Sequence, residues 1–151
     1  MLKITHSMID FYTKNVPLDE FISEYRRIYQ RGTELFAQYN PCEAQDNSCW
    51  SSRNDENKTT PFCCSGCEYV SDAGCLAEAL WCKLWICGSL RVFNRISKEF
   101  SDELAELNRQ AGQLCHHIGG RRDMGDFIKR IYGPKVHKQW EVLKQRKLEA
   151  S

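Results

Sequence analysis

Six cysteines stand within 25 residues of one another: Cys63, Cys64, Cys67, Cys75, Cys82 and Cys87. Thiolates gathered this closely can hold a zinc ion or an iron–sulfur cluster. Cys64-Ser65-Gly66-Cys67 is a Cys-x-x-Cys knuckle. That spacing lets two thiolates converge on one metal, and the glycine lets the backbone turn so that its N–H groups point at sulfur. Cys75 follows Gly74 and is expected near a helix start, where the dipole favours the thiolate. Cys75 and Cys82 are seven residues apart, two turns of helix, and are expected to share a face. Cys87, five residues further, points elsewhere on the same ideal helix.

Structural zinc sites usually carry two paired knuckles. Here one knuckle is followed by irregular spacings, which iron–sulfur clusters tolerate better. Phe62, Tyr69, Trp81 and Trp85 would supply an apolar shell that limits solvent access. The expected cofactor is one [4Fe–4S] cluster on Cys64, Cys67, Cys75 and Cys82, with Cys63 and Cys87 as further candidates. Zinc is the alternative.

The run Cys-Cys-x-x-Cys, then Cys-x7-Cys-x6-Cys followed by a basic residue and an aromatic, resembles a cysteine-cluster family described as zinc- or iron-chelating. A domain of this type also occurs in flagellin lysine methylases. The resemblance covers about 25 residues. It implies metal binding by Cys67, Cys75 and Cys82 and by Cys63 or Cys64, with Lys83 where the family usually has arginine. Ala79-Leu80 stand in place of its Arg-Pro, and Cys42 or Cys49 loosely matches an earlier cysteine.

Other reactive residues read more plainly. Cys115-His116-His117 ends an amphipathic stretch: the cysteine is expected in the core and the histidines at a helix C-terminus, where positive charge is favoured. No phosphate-binding glycine loop, His-Glu-x-x-His or nucleophile elbow occurs. No catalytic residue is assigned.

These residues need elements to hold them, and the sequence reads as all-α. One domain, 1–151, divides into N-terminal helices (1–40), a polar loop (41–62), the cysteine segment with a buried helix (63–93) and C-terminal helices (97–149). A short helix is expected at about Ile4–Tyr12. Pro17 suits a helix start. Leu18, Phe21, Ile22, Tyr25, Ile28, Tyr29, Phe36 and Tyr39 then recur at helical spacing, until Asn40-Pro41 stops the run. From about Ala73 to Phe93 the residues are good helix formers, apolar nearly all round, and predict a buried helix. Ser97 or Ser101 can cap the next helix, ended by Gly119-Gly120. Asp123 can cap another, closed by Gly133, and Pro134 can open a last one with Val136, Trp140 and Leu143 facing inward.

The chain of 151 residues is 42% apolar and 27% charged, with net charge +1, which is ordinary for a globular domain. Nine cysteines without a signal-peptide pattern point to a reducing, cytoplasmic setting, where dense cysteines serve metal or redox chemistry rather than staples. No stretch approaches a membrane span. The segment Gly119–Lys147 is the one basic region, with nine cations against three carboxylates. It would suit nucleic acid or another anionic partner. Aromatic helical faces would suit a homodimer. Taken together, the sequence suggests a metal-binding module with a structural or redox-sensing, regulatory role. The alternatives are an iron–sulfur-dependent redox or protein-modification enzyme and a zinc-stabilised nucleic-acid-binding module.

Overall fold

The computed structural model describes residues 16–43, 49–54, 56, 70–71, 74–75, 78–115 and 122–150. At 70–71, 74–75 and 147–150 it describes the backbone alone. The architecture is all-α. The helices are α1 (Leu18–Tyr39), α2 (Trp50–Asn54), α3 (Leu80–Lys83), α4 (Gly88–Val92), α5 (Lys98–Cys115), α6 (Met124–Tyr132) and α7 (Pro134–Ala150). Two strands of two residues each, β1 (Val70–Ser71) and β2 (Gly74–Cys75), pair antiparallel. Among the described residues, no helix is long and apolar enough to cross a membrane.

Helix α1 is the spine. Its inward stripe Phe21, Tyr25, Ile28, Gly32 and Leu35 is buried, as the three-and-four spacing predicts. Asn40 takes a left-handed conformation, and its N–H returns to the Phe36 carbonyl, which closes the helix ahead of Pro41.

Helix α5 lies antiparallel along α1. Phe100 at its start meets Phe36 and Tyr39 at the end of α1, Arg31 pairs with Glu103 at 2.9 Å, and Arg27 reaches Gln110 further on. Phe100, Leu104, Leu107, Ala111 and Cys115 are its buried face. Of the two candidate caps, Ser97 fills the role: its hydroxyl accepts the Phe100 N–H at 3.1 Å.

Helix α6 starts as expected at Asp123. The Asp123 carboxylate accepts the Asp126 N–H at 2.9 Å, and the Asp126 carboxylate accepts the Asp123 N–H at 3.0 Å. This reciprocal capping satisfies two N–H groups at once. Phe127 then packs on Tyr25, and Tyr132 sets its ring edge on Phe21. Gly133, at φ +93°, turns the chain into α7.

Three expectations change. The stretch 73–93 is not one helix: β2, α3 and α4 replace it. Glu78 is left-handed at φ +49°, while Ala79 and Cys87 are extended. Each breaks the helical backbone that the local propensities favour. Within the expected polar loop, Cys49 and Ser52 exchange two hydrogen bonds and Trp50 opens α2. On α7, Leu143 is exposed rather than inward, because α7 packs chiefly on α6 and buries only the side carrying Val136, His137 and Trp140. The helix expected at Ile4–Tyr12 and the stop at Gly119-Gly120 lie outside the described residues.

Candidate metal centre

The core determines which cysteines remain available. Leu80, Leu84, Ile86, Cys87 and Leu90, from α3, α4 and the link between them, are buried against α1 and α5. Leu80 turns inward, whereas Cys82 on the same helix is exposed. Trp81 and Trp85 stand outward as well, 40% and 39% exposed. The expectation that this segment is buried all round is therefore corrected. Its inner side carries aliphatic residues, and its outer side carries Trp81, Cys82 and Trp85.

Gly32 allows that arrangement. A Cβ at Gly32 would sit 2.9 Å from Leu84 Cδ2 and 3.1 Å from Lys83 Cγ, so a glycine in the middle of α1 lets α3 approach closely. The Lys83 ammonium lies 4.9 Å from the centre of the Tyr29 ring, which pins the other flank of α3.

Cys75 is not at a helix start. It lies on β2, paired with Val70, so the helix-dipole argument and the shared helical face with Cys82 do not hold. A strand alternates its side chains every second residue, and seven-residue helical spacing has no meaning across β2 and α3.

Cys87 is buried at the N-cap of α4, with its sulfur 3.0 Å from the Ser51 hydroxyl. Cys49 is buried and Cys42 packs against the core. The Trp50 N–H donates to the Cys42 carbonyl at 2.6 Å, which ties those two cysteines to the base of α2. Cys115 is a core thiol: burial pushes its pKa up to about 12, which keeps it protonated and unreactive at neutral pH. Cys63, Cys64 and Cys67 lie outside the described residues, as do His116 and His117.

One relationship is not legible in the sequence. Ser51 and Cys87 touch inside the core although they are far apart in sequence, and the chain is already back in the core at Ala79 and Leu80. A second tie fixes the return path, because the Tyr25 hydroxyl donates to the Glu78 carbonyl at 2.8 Å. Cys63, Cys64, Cys67, Cys75 and Cys82 all fall between these pinned ends. Among the described residues, no three metal-ligating side chains come together. A scan against protein-family models and searches of curated proteins and of solved structures found no match to this chain.

Proposed function

We propose that the chain between Ser51 and Cys87 is a metal-binding loop that holds one [4Fe–4S] cluster through Cys64, Cys67, Cys75 and Cys82. The carrying observation is the division of the cysteines. Cys87 and Cys115 are absorbed by the core, while Cys82 stands exposed between two exposed tryptophans. Cysteine is among the most buried residue types when it only packs, so its outward position on α3 fits a ligand better than a filler. Trp81 and Trp85 supply apolar surroundings of the kind that shield and tune such a cluster.

The donor set is all sulfur, which suits iron–sulfur or zinc chemistry over harder ions. Irregular spacing between ligands favours the cluster. Bound metal would close a loop whose ends the core already holds together, so the centre organises the chain between α2 and α3 and reports on redox state through its own loss. A cluster of this kind belongs in a reducing, cytoplasmic compartment. The role is that of a regulatory or structural binding module.

Serine substitution tests the ligand set. Cys67→Ser, Cys75→Ser and Cys82→Ser are each expected to lose most of the metal from protein purified without oxygen. Cys115→Ser is expected to keep it. Full metal content in all three of the first group overturns the reading.

A further inference from the structure

The charged residues of this molecule divide into two populations. Along α1 and α5, all the cations but Arg26 are neutralised in place: Arg27 by Glu24, Arg31 by Glu34 and Glu103, Arg109 by Glu106, and Lys98 by Asp102. On the α6–α7 hairpin the carboxylates whose side chains are described are already committed. Asp123 and Asp126 cap α6 on each other, and Glu141 faces His137 at 3.5 Å. Lys129, Arg130, Lys135, Lys138 and Arg146 are exposed and take part in no ion pair among the described residues.

Helical geometry aligns part of this surplus. At 100° per residue, Lys135, Lys138, Val142 and Arg146 fall on one side of α7, opposite Val136 and Trp140. Trp140 is held on the inner side, where a Cβ at Gly125 would approach its ring to 2.9 Å. The Lys144 ammonium folds over that ring at 5.1 Å. Between Lys135 and Arg146 the outward side carries no carboxylate, and Glu141 lies on the flank beside His137. From Lys135 to Arg146 the stripe spans about 16 Å.

We infer that this stripe is a docking surface for the phosphate backbone of a nucleic-acid duplex. A linear row of cations matches a linear row of phosphates, and binding releases the counterions condensed on the duplex. A membrane surface is a poorer match. A helix lying in a bilayer interface turns large apolar residues outward, whereas this stripe offers one valine among lysine and arginine. The inference is independent of the metal centre, which occupies a different part of the chain.

The test uses the full-length protein and two fluorescent 20-base-pair duplexes, one DNA and one RNA, titrated at 50 to 200 mM salt. The unmodified chain is expected to bind at least one of them, more weakly as salt rises, and the ratio of the two affinities separates the sources of phosphate. The triple variant Lys135→Gln, Lys138→Gln, Arg146→Gln is expected to bind at least roughly tenfold more weakly, with the log–log salt slope reduced by about 3. The variant Arg27→Gln, Arg109→Gln removes two paired cations and is expected to leave binding unchanged. Circular dichroism and metal content are expected to be the same in all variants, which separates this surface from the metal site. The inference is overturned if neither duplex binds at 50 mM salt, or if the triple variant binds as well as the unmodified chain. It is also overturned if phosphatidylserine vesicles bind and the duplexes do not.

Discussion

The Ser51 hydroxyl and the Cys87 thiol meet at 3.0 Å in the interior, although 36 residues of chain separate them. Both side chains are buried, so this contact fixes the base of the cysteine-bearing loop from inside the core. Ser51→Leu forces extra methyl groups into that base and is expected to cost about 1–3 kcal/mol. Urea unfolding measures the loss, and metal content is expected to fall with it. Ser51→Ala removes only a hydrogen bond and is expected to cost about 1 kcal/mol with the metal retained.

Tyr25 holds the far side of the same loop. Its hydroxyl donates to the carbonyl of Glu78, a residue whose left-handed backbone no regular element supports. Tyr25→Phe leaves that carbonyl without its donor. The expected cost is about 1–2 kcal/mol in urea unfolding, with the m-value unchanged because the core itself stays packed.

The thiols are expected to separate by reactivity. In chelator-treated native protein, Cys82 reacts quickly with iodoacetamide, while Cys87 and Cys115 react only after unfolding. In the metal-bound protein Cys82 becomes protected. Peptide mapping of alkylated sites reads all three at once. Rapid alkylation of native Cys115 would contradict its place in the core.

Alkaline pH tests that place independently. Burial raises the Cys115 thiol from 9.0 to about 12. Between these values the unfolded chain has lost the proton and the folded chain keeps it, so stability falls as pH rises through the window. The slope is about 1.4 kcal/mol per pH unit for one group. Tyr25, raised by burial first of all, adds a similar fall that begins near 10.0, and the more exposed Tyr132, also raised mainly by burial, adds a smaller one that solvent screens. Cys115→Ala is expected to remove the part that begins at pH 9 and leave the tyrosine part, as read by unfolding at stepped pH.

Gly32 is a packing requirement of the candidate site. Any side chain there meets Leu84 and the Lys83 stem, the residues that follow Cys82. Gly32→Leu is expected to destabilise the protein by about 1–3 kcal/mol and to weaken metal retention. An unchanged melting temperature would show that α3 does not depend on this close approach.

The long helices are legible because periodic apolar spacing and local end signals mark each of them. Apolar spacing after Pro17 identifies the inward side of α1, and Asp123, Gly133 and Pro134 mark the ends of α6 and the start of α7 through local backbone chemistry. The stretch 73–93 departs from the helix that its residues favour locally, because distant partners decide its path. Tyr25 holds the Glu78 carbonyl and Ser51 meets Cys87, and neither contact leaves a periodic trace. Strands of two residues are too short to show alternation. Leu143 has the right spacing for an inward position, but α7 has too little neighbouring surface to bury it. The concentration of cysteines was plain in the sequence. What became visible only in three dimensions is that Cys87 belongs to the core and Cys82 does not.

The most direct measurement is an absorption spectrum with iron, sulfide and zinc analysis on a single sample purified without oxygen. A brown protein with a broad band near ~400 nm and about four irons per chain is the expected result. A colourless protein with about one zinc would keep a thiolate site and overturn the cluster. A protein with neither metal, whose Cys67, Cys75 and Cys82 all alkylate in the native state, would contradict the central claim.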